Sequence, residues 1–167
     1  MVLKELMELA EQYLQNGKFE ESLSILNKLS SGELEEGLKE VVFSLRIECL
    51  ICLKEYGRAE NRIKELICQN KDYPMSYFHR AVISFKENRL DDALEHTEES
   101  IRIAEKADMR HPQYYQMKAN ILKKLGNDSY KKSEEIAVKL AKENFKKIQE
   151  FADENGIDID EFEGLMK

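Results

Sequence analysis

The sequence predicts an all-α fold: a stack of antiparallel helical hairpins closed by a C-terminal capping helix. Three observations carry this. Glycine and proline number seven and two in 167 residues, which suits helices with few breaks and argues against a sandwich or barrel. Apolar residues recur at three- and four-residue steps over most of the chain. And a turn signature returns: Gly17-Lys18-Phe19-Glu20-Glu21-Ser22, Lys54-Glu55-Tyr56-Gly57-Arg58-Ala59, Asn88-Arg89-Leu90-Asp91-Asp92-Ala93, and a looser copy from Gly126 through Tyr130 to Ser133. Each puts an aromatic or leucine three residues before a small residue. The small residues Ser22, Ala59, Ala93 and Ser133 lie 37, 34 and 40 positions apart, a period that marks stacked helical hairpins.

The first helix is expected over about 2–16, with Leu3, Leu6, Leu9, Ala10, Tyr13 and Leu14 as its apolar stripe. Asn16-Gly17 ends it, since glycine readily takes the left-handed C-cap conformation. A second helix follows with Leu23, Leu26 and Leu29 inward, and Ser30-Ser31-Gly32 closes that hairpin. The third helix is long, about 33–53, with Leu34, Leu38, Val41, Val42, Leu45, Cys49 and Cys52 on one stripe. Its partner spans about 57–68, with Ile63, Leu66 and Ile67 inward. Tyr73-Pro74 and His111-Pro112 start the next two hairpins, because proline suits the first helical turn. These give helices at about 75–87, 90–106 and 113–125. The last long helix, about 129–151, carries Ile136, Ala137, Leu140, Ala141, Phe145, Ile148 and Phe151 on one face and mostly Lys and Glu elsewhere, as a solenoid cap requires. A short helix over about 158–166 is expected to follow, with Asp158 and Glu161 spaced as a capping-box variant.

Composition narrows the function. With 42% apolar and 35% charged residues the chain has the make-up of one soluble domain, 1–167. A net charge of −7 without a basic patch argues against nucleic acid. No apolar run approaches the roughly 18 residues of a membrane span, and the acid-bearing start Met-Val-Leu-Lys-Glu-Leu is unlike a signal peptide. A cytoplasmic protein is expected. Three cysteines, an odd number, make no disulfide framework.

These residues resemble the tetratricopeptide repeat, over about residues 3–141. The family's large position 4 corresponds to Leu6, Phe43, Tyr77 and Tyr115, and its small position 8 to Ala10, Ile47, Ala81 and Ala119. Repeats would cover about 3–31, 33–70, 74–106 and 112–153. Ile47 departs from the pattern by its size, and the fourth turn carries two extra residues. The resemblance implies a right-handed superhelix whose first helices line a concave groove. Carried over residue by residue, it implies that Met7, Glu8, Glu11, Leu45, Glu48, Ile51, Phe78, His79, Val82, Phe85, Met117 and Asn120 bind a partner. The lining has an apolar centre and acids on one side, which suits a segment with apolar anchors and some Lys or Arg. The alternative is that Phe78 and Phe85 are core. The family's basic clamp for chaperone tails has Met7, Glu11, Leu45, Met75 and His79 at its positions, so a peptide carboxylate is not expected.

Chemistry is not expected. Cys49-Leu50-Ile51-Cys52 lies deep in a helix stripe rather than at a helix N-terminus, and Cys68 adds no zinc spacing. Asp153-Glu154-Asn155-Gly156 with Asp158, Asp160 and Glu161 puts Phe151 and Phe162 where a calcium loop needs oxygen. His79, His96 and His111 are scattered, no Ser or Cys shows a base partner, and no phosphate loop exists. The expectation is a non-enzymatic adaptor with no metal or cofactor, binding a protein or peptide. Its alternatives are a homodimer through a repeat edge or the last helix, and a peptide or small-molecule sensor using His79 and the groove acids.

Overall fold

The computed structural model describes residues 2–29 and 34–155, and among them every regular element is a helix. These are α1 (Val2–Gln15), α2 (Phe19–Lys28), α3 (Glu36–Cys52), α4 (Tyr56–Gln69), α5 (Pro74–Lys86), α6 (Leu90–Lys106), α7 (Pro112–Lys124) and α8 (Tyr130–Asn155). The expected third helix starts later than the stripe suggested, and Leu34 is buried although it precedes α3. The expected Ser30-Ser31-Gly32 break and the 158–166 helix lie outside the described residues, as does most of the acidic stretch after Asn155.

The recurring turn has one physical form. After α1, α3, α5 and α7, a single residue takes positive φ: Gly17 at 72°, Lys54 at 61°, Asn88 at 60° and Gly126 at 70°. In each, two backbone N–H groups reach back to the last helical turn, as in a Schellman cap. The N–H groups of Lys18, Glu55, Arg89 and Asn127 donate to Tyr13, Leu50, Ser84 and Leu122 at 2.8–2.9 Å. Those of Gly17, Lys54, Asn88 and Gly126 donate to Leu14, Ile51, Phe85 and Lys123 at 3.0–3.1 Å. Two of these residues are not glycine, so the sequence marks the shared geometry through the aromatic or leucine and the small residue of the next helix. In the first three turns the next helix starts two residues after the left-handed one. In the fourth it starts four residues after, at Tyr130. Asn127 fills the extra length by accepting the Ser129 N–H at 2.9 Å through its side-chain oxygen.

The chain divides into two compact units, Met1–Ile103 and Ala104–Lys167. In the first, α1 to α4 each pack on the helix that follows, and in addition α1 touches α3 and α3 touches α5. The core runs through Ala10, Leu26, Val42, Ile47, Ile63, Leu66 and Ile83. Ala10, Ser22, Ala59, Ala81 and Ala93 have no accessible surface, which is what close helix approach demands of small residues. Ile47 has none either, so its extra bulk is absorbed in the core. Ser22 donates to the Ala10 carbonyl at 2.7 Å and receives the Cys49 thiol at 3.4 Å, tying α2 to α1 and to α3. Ser100 ties α6 to α5 in the same way, donating to the Pro74 carbonyl at 3.0 Å.

In the second unit, α7 and α8 form the closest-packed pair. His111 caps α7, its Nδ1 accepting from the Gln113 N–H at 3.3 Å, with Pro112 at the first helical position. At 13 residues α7 is about 20 Å long, whereas the 26 of α8 give about 39 Å. Ser133, Ala137 and Leu140 are buried, but Phe145, Ile148 and Phe151 keep 37%, 53% and 61% of their surface. The expected stripe of the last helix is therefore buried in part, at Ala137 and Leu140, while Phe145 and Ile148 are exposed, and Ala152 near the end of the helix is buried again at 4%.

Candidate functional site

The residues assigned to a groove come mainly from α1, α3 and α5, the three odd-numbered helices of the first unit. Glu8 and Glu11 are exposed on α1, and Met7 is half-buried against the core. On α3, Glu48 is exposed and Leu45 half-buried. On α5, Phe78, Val82 and Phe85 are half-buried. Partial desolvation holds the Glu48 carboxyl above its usual range even though the side chain reaches solvent.

Two of the assigned residues do not line a surface. Ile51 keeps 4% of its surface and belongs to the core. His79 keeps 5% and is held by Ser44 on α3, Oγ to Nε2 at 2.7 Å. The reason is the direct contact of α3 with α5, which buries the facing sides of both helices. Sequence reading gave no Ser a base partner, and the fold supplies one across 35 residues. Burial pushes His79 down to about 4, so the ring is neutral near pH 7. A neutral ring already engaged between two packed helices reads no ligand charge.

Ser44 and His79 belong to a polar seam between α3 and the start of α5. Tyr73 lies at the start of α5, where burial with the Glu40 charge holds its phenol above the usual range. Glu40 in turn accepts from the Asn70 side-chain amide at 2.6 Å. Cys49 and Cys52 lie on the same helix, the first buried and the second half-buried, and desolvation raises both thiols. Raised thiols are poor nucleophiles and poor metal ligands. Among the described residues no group of His, Cys, Asp and Glu is arranged to hold a metal ion.

Met117 and Asn120 are placed by α7 in the second unit. Met117 is half-buried, and Asn120 is exposed and accepts from Gln116 at 3.1 Å. Beside them, Tyr115 donates to Glu105 at 2.7 Å. Burial and that carboxylate push its phenol well up.

Sequence reading missed one concave feature. A cavity of about 560 Å³ lies among α2, α3 and α4, lined by Leu23, Asn27, Arg46, Leu50, Arg58, Asn61, Arg62 and Glu65. Arg58 and Arg62 share a face of α4 by their four-residue spacing, which the sequence does show. The contribution of Arg46 from the preceding helix was not visible. On comparison with known proteins, the chain matches no family model and no curated protein.

Proposed function

We propose that the chain is a tetratricopeptide-like adaptor that binds a protein segment along α1, α3 and α5. The observation that carries this reading is the succession of contacts: each odd-numbered helix of the first unit touches the next odd one as well as the even helix between. Stacked hairpins require that pattern, and it brings residues at equivalent places in successive hairpins near one another. The side chains with surface to offer are then Leu45, Phe78, Val82 and Phe85, with exposed Glu8, Glu11 and Glu48. Apolar anchors beside carboxylates suit an extended or helical partner carrying Lys or Arg. With −7 net charge, nucleic acid is a poor partner.

Selection of a random peptide library on the full chain tests this. Binders rich in Lys, Arg and apolar residues are expected. They should weaken at least about tenfold on the Glu8→Lys, Glu48→Lys protein, because opposed charges become like charges. Binders that ignore both this change and Phe78→Ala with Phe85→Ser, in proteins of unchanged helicity, would remove the groove from consideration.

One observation favours a second reading, self-association. Phe145 and Ile148 are exposed large apolar side chains three residues apart on α8. Sedimentation over a range of concentrations separates the two, since a monomer at every concentration excludes the dimer.

A further inference from the structure

The cavity among α2, α3 and α4 gathers cations in a chain of net negative charge. The protein carries −7 overall, yet three of its seven arginines line this one space, and among the described residues no lysine does. Two carboxamides, Asn27 and Asn61, share the lining with a single acid, Glu65. The guanidiniums are not equally available. Arg62 pairs with Glu65 at 2.7 Å, and Arg58 pairs with Glu55. Both pairs join residues three apart on an exposed helix face, where such contacts are weak and exchange readily.

Arg46 is different. Its Nε donates to the Leu26 carbonyl at 3.1 Å, and its Nη2 donates to the Leu26 and Leu29 carbonyls at 2.5 and 2.9 Å. The Phe43 ring lies 5.8 Å from its carbon centre. These contacts fix the guanidinium in place but bring no negative charge to it. Arg46 is thus an immobilised, half-buried cation, and burial and the nearby Arg62 charge both disfavour its charged form. A doubly negative oxyanion between Arg46 and Arg62 would relieve that repulsion.

We propose that this cavity binds a phosphate monoester, with Arg46 as the fixed anchor and Arg58 and Arg62 closing on the oxygens from α4. Arginine suits the task through its planar fork, which matches phosphate oxygens two at a time. Asn27 and Asn61 add neutral donors for a hydroxyl or carbonyl beside the phosphate. A volume of about 560 Å³ lies within the roughly 300–1,000 Å³ of small-ligand sites, so there is room for the group that bears the phosphate. The site is separate from the odd-helix groove and stands whether or not that groove binds a partner.

Phosphate on a small sugar and phosphate on a protein side chain share this chemistry. The test therefore titrates the full chain with ribose 5-phosphate and with N-acetyl-O-phosphoserine amide, each beside its unphosphorylated form. Side-chain Nε–Hε resonances of the arginines are followed by NMR. Saturable shifts at Arg46, Arg58 and Arg62 are expected with at least one phosphorylated probe, and the tighter probe identifies the source. Unphosphorylated forms should leave them unmoved. Arg62→Ala should weaken binding at least about tenfold, the effect of losing one charge-assisted contact. Arg102→Ala, an equal change of charge on α6, should leave it unchanged. The proposal is overturned if neither phosphorylated probe gives saturable shifts, or if Arg62→Ala and Arg102→Ala weaken binding equally. Because Arg62 is exposed, this readout does not depend on a variant at Arg46 that disturbs the fold.

Discussion

The two sides of α3 solve the same problem with opposite chemistry. Toward α5, the buried bond is between neutral groups: Ser44 meets a His79 ring whose proton burial has driven off. Toward α2 and α4, it presents Arg46, a permanent cation held by backbone carbonyls. One helix thus packs through a neutral hydroxyl–imidazole bond on one side and through a charged guanidinium on the other. The difference lies in what each partner helix offers. The start of α5 brings hydroxyl and imidazole groups that can bond without charge. The end of α2 brings backbone carbonyls, which at a helix C-terminus favour a cation.

The largest expected effect breaks the neutral side by acid. His79 binds its proton less well folded, at about 4, than unfolded, near 6.5. The unfolded chain therefore takes up more protons between those values, and stability rises with pH across that window. The contribution is complete above about pH 6.5 and is lost as pH falls to 4, by up to about 3 kcal/mol. Denaturant melts at a series of pH values check this, with His79→Gln expected to flatten the pH dependence between 4 and 6.5. An unchanged slope in that variant would show that other groups carry it.

A smaller effect breaks the charged side. Arg46→Met removes the bonds to the Leu26 and Leu29 carbonyls and should cost about 2 kcal/mol, because those carbonyls lose a charged donor. Its loss should not vary between pH 4 and 6.5, in contrast to His79. If the two variants respond to pH alike, the two sides of α3 are not chemically distinct.

The smallest expected effect sharpens the comparison by touching neither side. Lys54 follows α3 at φ 61°, a conformation that costs a side-chain-bearing residue roughly 1 kcal/mol. Lys54→Gly should raise the unfolding midpoint by an amount matching about that energy, part of it offset by glycine's greater freedom when unfolded. A fall instead would mean the lysine side chain stabilises the turn.

Much of the helical order was legible because its signals are local. Apolar spacing located α1 and α4 to α8 to within a few residues, and Pro74 and Pro112 marked the starts of α5 and α7. The two extra residues of the fourth turn were also readable, since Ser133 falls late relative to Gly126. What the sequence did not reveal depends on contacts between distant residues. Ser44 and His79 are 35 positions apart, and nothing local to either signals the other. Ile51 and His79 carried groove positions by register alone, while register says nothing of how closely α3 and α5 approach. Arg46 reads as one more charged residue until the end of α2 is placed beneath it.

The recurring turn also sets a tempo. Each cap closes a loop of only six residues, from Tyr13 to Lys18, Leu50 to Glu55, Ser84 to Arg89 and Leu122 to Asn127. Loops that short close in well under a microsecond, long before distant helices meet. Each helical pair therefore has its reversal point set early, and the slower step is the search by which finished hairpins find their neighbours.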